Sequence, residues 1–313
     1  MLVKSKISIC VATYKRPIGL ERLLRSLSQL VFVKCEQPEL IIVVIDNSPD
    51  EEARQIIQSI GIMCPFPILY AIEPTRGIAS ARNKAVSLAN NSDFLAFIDD
   101  DEVADPHWMD ELLFVQTRTN ADVTTGPVLP EFDGKVPKWI ITGKFFDRRR
   151  LKTGTKVVYA ATGNMLIRSK WVKGEPFDTR LNFIGGSDGL FTKQINKIGA
   201  LMIWVDEALV KEFVLPQRAT ANYIIRRAFR NGSAGTVVEK LLQPTGIKLV
   251  LRFIKGLAIT GYGLVFFIPE LLLYGYVGII KCIKFISLGV GIVAGFFDVS
   301  YKEYSKPYKN EKM

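Results

Sequence analysis

Histidine is scarce in this chain and its cysteines are not spaced as pairs, which narrows the chemistry available to it. The 313 residues include one histidine, His107, and four cysteines, at positions 10, 35, 64 and 282. A zinc site built from several histidines is excluded, and a Ser-His-Asp triad is disfavoured. The cysteines show neither a disulfide framework nor metal-ligand spacing, and Cys10 lies in an apolar stretch. We therefore expect buried thiols in a reducing compartment.

Glycine-rich phosphate loops are also missing from the sequence. The first predicted strand is not followed by Gly-x-Gly-x-x-Gly, and Gly-x-x-x-x-Gly-Lys-[Ser/Thr] occurs nowhere. Because these loops bring backbone N–H groups to phosphates, their absence argues against a dinucleotide-binding or P-loop protein. The sequence contains no repeat with a period of about 20–50 residues. Its first residues lack the apolar core of a signal peptide, so we expect no cleaved leader.

Positive charge is concentrated in the last part of the chain. Residues 226–313 contain 13 Lys or Arg and 5 Asp or Glu, which gives +8 of the total net charge of +10. An evenly basic chain would suggest nucleic acid as a partner. Because the excess lies in and around an apolar tail, we predict contact with an anionic membrane surface and no nucleic-acid partner.

The tail contains two apolar runs. Residues 256–280 are numerous enough to cross a bilayer but include Pro269, whereas residues 285–297 fall below the usual spanning length. Lys281 and Lys284 separate the runs, and a hairpin of two crossings would place them outside, against the positive-inside tendency. We therefore predict a re-entrant or interfacial anchor on the cytoplasmic face of the cell membrane. An integral segment and an oligomerisation domain are the alternatives.

The first third of the chain alternates between strand and helix patterns. A continuous β-branched run such as 40–45 is typical of a strand that is covered on both faces, and residues 78–89 have a helical pattern. The alternation predicts a Rossmann-like, doubly wound, largely parallel α/β sheet. Beyond residue 121 the pattern is less regular. The strands are predicted at 7–12, 40–45, 68–72, 94–98 and 122–129.

Polar side chains follow the first four predicted strands. They lie at 13–16, at 46–48, at Arg76 with Arg82, and at 99–102, which is a run of four carboxylates that we call the acidic turn. In sheets of this kind ligands bind beyond the carboxyl ends of the strands, so we expect these groups on one rim. Adjacent carboxylates are costly to desolvate without a partner. They suit a hard divalent cation that also binds substrate phosphates, although a solvated acidic turn explains that stretch equally well alone.

Four stretches resemble bacterial glycosyltransferase family 2 in their order and spacing. They are Val11-Ala-Thr-Tyr-Lys-Arg-Pro17, Val44-Ile-Asp-Asn-Ser48, Gly77-Ile-Ala-Ser-Ala-Arg-Asn83 and Phe97-Ile-Asp-Asp-Asp-Glu102. The resemblance implies the GT-A fold, a doubly wound mixed sheet. It also implies inverting, metal-dependent transfer of a sugar from a nucleotide-sugar donor, a UDP-sugar, to a glycan or lipid-linked acceptor. In this family such transfers often build exopolysaccharides and other surface glycans.

The resemblance implies roles for individual residues on the donor side. Asp99 and Asp101 are the outer members of an Asp-x-Asp motif and would ligate Mg²⁺ or Mn²⁺, although Asp100 can share or replace either. Arg82 would approach the diphosphate or form a structural ion pair. The nucleotide-binding residues that it implies are Thr13, Arg16, Asp46, Arg82 and Asp100.

On the acceptor side the resemblance rests on Gly185-Gly-Ser-Asp188, where many relatives have Gly-Gly-Glu-Asp. It implies that Asp188 is the catalytic base, and the alternative is that Asp188 caps a helix beginning at Leu190. Ser187 replaces the usual Glu, which bears on acceptor positioning. The acceptor-binding residues implied are Gly163, Asn164, Gly186 and Ser187. Arg226-Arg-Ala-Phe-Arg-Asn-Gly232 replaces the Gln-x-x-Arg-Trp of processive synthases, which argues against a polymerase. Its arginines would clamp the diphosphate, face anionic lipid or form a solvated helix face.

Two domains are predicted. Residues 1–232 would form the glycosyltransferase domain, with a nucleotide-binding half at about 1–120 and an acceptor half at about 121–232, and residues 233–313 would form a basic, apolar, helical tail at the membrane. One alternative is a nucleotidyltransferase, which would carry a glycine-rich activating loop after the first strand. The other is a non-catalytic, membrane-tethered binding protein of the same fold.

Overall fold

The computed structural model describes residues 4–89 and 91–301 of the chain. Within these residues the strands are β1 (Lys6–Thr13), β2 (Glu39–Asp46), β3 (Ile68–Ile72), β4 (Phe94–Phe97), β5 (Glu102–Ala104), β6 (Val123–Thr125), β7 (Val128–Phe132), β8 (Met165–Arg168), β9 (Met202–Trp204) and β10 (Val210–Val214). The helices are α1 (Pro17–Leu27), α2 (Glu52–Gly61), α3 (Ile78–Leu88), α4 (Trp108–Thr119), α5 (Lys138–Thr142), α6 (Ser187–Lys197), α7 (Ala221–Leu241), α8 (Gly246–Val265), α9 (Phe267–Tyr274) and α10 (Tyr276–Ala294).

The strands form a seven-stranded mixed sheet and a three-stranded sheet. The order in the larger sheet is β3-β2-β1-β4-β8-β6-β9, in which β1 to β4 are parallel and β8 runs antiparallel to both of its neighbours. The smaller sheet has the order β5-β10-β7. The predicted doubly wound α/β layer is therefore confirmed, and the reversal at β8 makes the sheet mixed.

Strand β2 shows why its sequence is apolar without interruption. Ile42 and Val44 are buried in the core layer that contains α1, whereas Val43 and Ile45 are buried in the layer that contains α3. Successive side chains of a strand point to opposite faces, so a strand covered on both faces has no polar position. Each such burial contributes about 1.5–3 kcal/mol.

The parallel register brings the strand ends to one edge. Thr13, the last residue of β1, pairs with Asp46, the last residue of β2, and Asp46 pairs with Ile72 of β3. Strand β4 ends at Phe97, and the acidic turn begins two residues later, after Ile98. The edge predicted to carry the site is thus formed by four adjacent strands.

The predicted strand over 122–129 is wrong in one respect, because two strands occupy it. Strand β6 belongs to the large sheet and β7 to the small one. Gly126 lies between them, where a Cβ atom would come within 2.4 Å of the Ala208 carbonyl oxygen. This close approach requires glycine, and it lets the chain leave one sheet for the other.

The C-terminal helices pack through small residues. At Gly289 of α10 a Cβ atom would lie 2.5 Å from the Gly256 carbonyl oxygen of α8, and at Gly291 it would lie 2.2 Å from the Phe229 carbonyl oxygen of α7. Helix α10 therefore lies directly against the backbones of both neighbours. Its contact with α7 fixes the tail to the wall of the catalytic half.

The predicted arrangement of the two apolar runs is corrected by the helix boundaries. The chain bends by 50° between α8 and α9 and breaks again at Gly275, where φ is 55°. Lys281 and Lys284 lie inside α10 and do not separate two segments. Among the described residues, 276–297 form one helical stretch long and apolar enough to cross a membrane, and α8 with α9 would count as a second only if the bent pair were one span.

The predicted domain boundary falls inside a helix. Helix α7 continues from Ala221 to Leu241, across the expected division between 232 and 233, and the chain leaves helical geometry only at 243–245. Both halves of α7 contact both parts of the chain, because Phe229 lies against Gly291 of α10 and Val238 packs with Leu181 and Leu190. The division into two domains stays a prediction.

Candidate active site

Asp100, the second residue of the acidic turn, points inward and holds the turn to the first strand. Thr13 donates its hydroxyl to Oδ2 at 2.9 Å, and Arg16 donates to Oδ1 at 2.7 Å. The residue is 4% exposed. Burial raises the pKa of the Asp100 carboxyl to about 6, although the neighbouring Arg16 charge opposes the shift. Both carboxylate oxygens are thus used to position the turn.

Asp101 is paired with two arginines from distant parts of the chain. Arg218, in the loop between β10 and α7, donates to its Oδ2 at 2.8 Å, and Arg16 Nη1 lies 3.1 Å from the same oxygen. Burial alone would raise the pKa of Asp101, but the two guanidinium charges outweigh it and hold the pKa at about 2. Asp101 therefore remains ionised, and it ties the start of α7 to the acidic turn.

Asp99 is the most accessible of the three aspartates. Its side chain is 39% exposed and accepts a hydrogen bond of 2.8 Å from the buried Arg82 of α3. Its backbone N–H donates to Glu102 Oε2 at 2.8 Å. Burial, together with the charges of Asp99 and Asp101, raises the pKa of Glu102 well above its usual value. Both predicted interpretations of Arg82 have support, because the residue forms an ion pair and also lines the cleft described below.

The acidic turn has the donor chemistry that a hard divalent cation needs. Asp99 and Asp101 offer carboxylate oxygens toward one inner pocket. No cluster of three or more His, Cys, Asp or Glu able to hold a metal occurs at residues 4–89 and 91–301. A cation here would take its remaining ligands from substrate phosphates and water, as Mg²⁺ usually does. The residues fit such an ion, provided that Asp101 exchanges an arginine for it.

A small pocket of about 80 Å³ lies between the ends of β1 and β2 and the start of α3. Asn47 braces it by donating to the carbonyl oxygens of Glu73 and Thr75, at 2.7 and 2.9 Å, and by accepting from the Gly77 N–H at 2.7 Å. Arg76 lies 4.8 Å from the centre of the Tyr14 ring. The residues that line this small pocket are Ala12, Thr13, Tyr14, Arg16, Asn47, Arg76, Gly77, Ile78, Ala81 and Asp100.

Asp46 lies behind this pocket, and its expected contact with the base or ribose stays a prediction. The side chain is 1% exposed, and burial raises its pKa. Its carboxylate accepts hydrogen bonds from the backbone of Ser48 and Ala53 and from the Tyr70 hydroxyl, at 2.9, 3.3 and 3.2 Å. Asp46 holds the loop that carries Asn47. Asn47, a neighbour in the same motif, is the residue at the pocket.

A large cleft of about 710 Å³ lies between the strand ends and α7. Asp99 and Arg82 line one part of it, and Asp188 of α6 lines another. Its basic residues are Arg82, Arg148, Lys193, Arg227, Arg230 and Lys284, and its acidic residues are Asp99, Asp147 and Asp188. The cleft is thus suited to a large anionic substrate. Of these residues, Arg148 and Lys193 had no role in the sequence-based prediction, and Lys284 was expected only between the two apolar runs of the tail, since their approach to the cleft depends on tertiary packing.

Asp188 does not cap a helix that begins at Leu190. Helix α6 begins at Ser187, its N-cap is Gly186 with φ of 91°, and Asp188 lies in its first turn. Its Oδ1 accepts from the Gly189 N–H at 2.8 Å, which orients the half-buried carboxylate. The charge of Asp188, together with burial, raises the pKa of the Tyr159 phenol. A carboxylate at the start of a helix is favoured by the helix dipole.

Two of the four expected acceptor residues line the large cleft, and two lie behind it. Gly163 and Gly186 line it. A Cβ atom at Gly163 would come within 2.5 Å of Glu102 Oε1, so a larger residue there would displace the Glu102 carboxylate. Ser187 is 1% exposed, and its hydroxyl has no hydrogen-bond partner in the part of the chain that the structure describes. Its expected acceptor contact stays a prediction.

The side-chain amide of Asn164 is hydrogen-bonded within the core, and its predicted contact with the acceptor stays a prediction. Its Oδ1 accepts from the Trp108 indole at 2.8 Å, and its Nδ2 donates to the carbonyl oxygens of Pro127 and Ala208, at 3.0 and 2.7 Å. The residue is 1% exposed. Asn164 fixes the loop that presents Gly163, so it acts on the cleft only through its neighbour.

The sequence matches a family and the structure matches solved relatives. The family model described as glycosyl transferase family 2 matches residues 8–174. Succinoglycan biosynthesis protein ExoM of Rhizobium meliloti (strain 1021) is 32% identical over 228 residues, which are 72% of this chain and 72% of ExoM.

Solved structures share the fold at low identity. The mannosyltransferase PcManGT from Pyrobaculum calidifontis, in complex with GDP-Man and Mn²⁺, has a TM-score of 0.58 at 15% identity, over 95% of this chain and 77% of PcManGT. S. aureus TarS 1-349 in complex with UDP-GlcNAc has a TM-score of 0.52 at 16% identity, over 95% of this chain and 93% of that one. This chain spans 39% of a longer TarS structure.

These structures show the GT-A fold, which the sequence motifs had implied. The family match extends over more than half of the chain, and the likeness to ExoM extends over most of it. The chain belongs to glycosyltransferase family 2 and is a glycosyltransferase.

Proposed function

We propose that the enzyme transfers a sugar from a nucleotide-sugar donor, a UDP-sugar, to a hydroxyl group of a glycan or lipid-linked acceptor, with inversion at the anomeric carbon. The observation that carries the proposal is that Asp99 and Asp188 line the same cleft of about 710 Å³ from different elements. One carboxylate lies on the diphosphate side and the other on the acceptor side. The succinoglycan biosynthesis role in the name of ExoM supports surface-polysaccharide synthesis as the setting.

The donor would lie across the small pocket and the acidic turn. Thr13, Arg16 and Asn47 border the pocket, where Arg76 and Tyr14 offer flat surfaces for a nucleoside. Arg82 lies on the inner side of the large cleft, where it would face the diphosphate. A Mg²⁺ or Mn²⁺ ion held by Asp99 and Asp101 would neutralise negative charge on the leaving nucleoside diphosphate.

The acceptor hydroxyl would be activated by Asp188. Its carboxylate, oriented by the Gly189 N–H, accepts the hydroxyl proton as the oxygen attacks the anomeric carbon. Gly163 and Gly186 line the cleft without side chains, so a sugar ring can approach the backbone closely. Because a base on the acceptor side suffices for a single displacement, no covalent sugar–enzyme intermediate is required, and the configuration inverts.

The nucleotidyltransferase and the non-catalytic binding protein are less well supported than a glycosyltransferase. Membership in family 2 sets aside a nucleotidyltransferase. A non-catalytic binding protein has no need of Asp99, Asp101 and Asp188 around one cavity system.

The apolar face of α8 and α9 is proposed to lie in the cytoplasmic membrane interface. Large apolar side chains on it are exposed to solvent, and contiguous patches of this kind mark interaction surfaces. Lys248 and Lys255 of α8 are exposed beside them and would meet anionic headgroups. Helix α10 packs between α7 and α8, so the interfacial arrangement leaves it in place. The exposed residues are Ile247, Val250, Leu251, Ile254, Leu257, Leu264, Val265, Ile268, Leu272 and Leu273.

Replacing the base should stop transfer but leave donor binding intact. In Asp188→Asn the acceptor proton has no carboxylate to accept it, and we expect the transfer rate to fall about 10²–10⁴-fold. The dissociation constant for UDP with Mn²⁺, measured by calorimetry, should stay the same. Asp147→Asn, which alters another carboxylate of the same cleft, is the control and should retain transfer. Unchanged transfer by Asp188→Asn would overturn the base assignment.

Variants of Asp99 and Asp100 should separate the loss of metal binding from the loss of stability. Asp99→Asn should weaken Mn²⁺-dependent UDP binding with little change in melting temperature, because Asp99 is exposed at the cleft. Asp100→Asn should lower the melting temperature, because its carboxylate is bonded to Thr13 and Arg16 in the interior. Calorimetry and thermal unfolding measure the two effects. An unaltered metal dependence in Asp99→Asn would contradict the proposed ligand.

Membrane attachment should depend on the apolar face. The Leu272→Glu/Leu273→Glu variant changes residues that are 79% and 73% exposed, and we expect its binding to phosphatidylcholine–phosphatidylglycerol vesicles to fall at least about tenfold. Ile62→Glu is the control, since Ile62 is 88% exposed but follows α2 in the catalytic half. Sedimentation with vesicles measures binding. Equal sedimentation of all three proteins would refute the interfacial anchor.

A further inference from the structure

Two cations of the large cleft stand apart from the others because they have no carboxylate partner. Arg227 of α7 and Lys284 of α10 both line it. Within residues 4–89 and 91–301, neither side chain forms a salt bridge at 4.0 Å or closer, or a hydrogen bond. Both side chains lie beside aromatic rings, Arg227 near Phe146 and Tyr223 and Lys284 near Phe145. A cation withdrawn from water without a counter-charge is unfavourable, so the pair is suited to receive an anion.

Other cations in and around the cleft are neutralised by carboxylates. Arg82 pairs with Asp99 at 2.8 Å, and Lys193 lies 3.7 Å from Glu239. Arg148 pairs with Glu212. Arg230 donates to Asn231 Oδ1 at 3.3 Å. These four side chains have structural partners already, which leaves Arg227 and Lys284 as the cleft cations whose arrangement such polar contacts do not explain.

Helix packing holds the two cations on the same wall. Ser287 of α10, one turn after Lys284, donates its hydroxyl to the Ile225 carbonyl oxygen of α7 at 2.8 Å. Lys284 Nζ lies 5.8 Å from the Phe145 ring centre, and the Arg227 guanidinium lies 6.0 Å from the ring of the next residue, Phe146. Both charges therefore reach the cleft beside one aromatic pair.

This wall leads to the apolar face. Helix α10 begins at Tyr276, eight residues before Lys284, which is about 12 Å along a helix. Tyr276 is exposed and packs 5.2 Å from the Trp139 ring, and Leu272 and Leu273 of α9 are exposed just before it. A molecule with a charged head and a hydrocarbon chain can thus reach the two cations from the apolar face.

We propose that Arg227 and Lys284 bind the phosphate groups of a lipid-linked acceptor whose hydrocarbon chain lies along the apolar face of α8 and α9. The inference rests on the proposed function and names the residues that recognise the acceptor's anionic lipid. Arg227 also borders the inner pocket with the acidic turn, whereas Lys284 lines only the large cleft. Lys284 therefore distinguishes an acceptor phosphate from the donor diphosphate.

The test measures binding of farnesyl diphosphate to the full chain in detergent micelles. Farnesol, which has only the hydrocarbon chain, and inorganic diphosphate, which has only the charged group, are the comparison ligands. Lys284→Gln is expected to weaken farnesyl diphosphate binding at least about tenfold and to leave Mn²⁺-dependent UDP binding unchanged. Arg227→Gln should also weaken the binding of farnesyl diphosphate. Lys281→Gln is the matched control, because Lys281 lies one turn away on α10, over the Tyr274 ring at 5.3 Å, and it should bind within about twofold of the unaltered protein.

Three results would overturn the assignment. If Lys284→Gln lost affinity for UDP and for farnesyl diphosphate equally, Lys284 would belong to the donor site. Equal losses in the Lys281 and Lys284 variants would indicate a general effect of charge near the micelle. Inorganic diphosphate that competes as well as farnesyl diphosphate would indicate a site for free phosphate. In each case Mn²⁺-dependent UDP binding by the unaltered protein tests the donor half of the proposed function separately.

Discussion

The structure depends on the neutralisation of three adjacent aspartates by arginines from three parts of the chain. Arg16 comes from the start of α1, Arg82 from the middle of α3, and Arg218 from the loop before α7. Without these partners, carboxylates at a buried strand end would repel one another and resist desolvation. Each pairing also joins a segment to the acidic turn, so the charge requirement holds together the two halves of the enzyme.

The same pairing explains how the site can be stable before substrate arrives and still receive it. The Asp100 carboxylate is hydrogen-bonded to Thr13 and Arg16 in the interior, whereas the Asp99 side chain is partly exposed at the cleft. A cation and a diphosphate bring opposite charges together, so they can replace arginine–aspartate contacts without leaving a charge unpaired. Because Arg218 precedes α7, the acidic turn is linked to the helix that forms the far wall of the cleft.

The sequence predicted the first four strands and the rim of polar groups because both follow from local patterns. A β-branched run fixes β2, and strand ends in a parallel sheet must share an edge. The roles of Asp46 and Asn164 were not predictable in the same way. Both belong to motifs near the site, yet their side chains are directed to buried N–H and carbonyl groups, and only tertiary contacts decide that direction. Lys284 lines the cleft because of helix packing, which a local pattern does not show. Strand β5 has only three residues and too little pattern to be recognised, and the division of 122–129 into β6 and β7 depends on contacts between the sheets.

The central claim is that Asp188 and the acidic turn act on one sugar from opposite sides in a single displacement. The anomeric configuration of the first product, determined by proton NMR before it can equilibrate, tests this most directly. The account predicts a configuration opposite to that of the donor sugar. Retention of the donor's configuration would require a second displacement or a different attack geometry, and it would contradict the account.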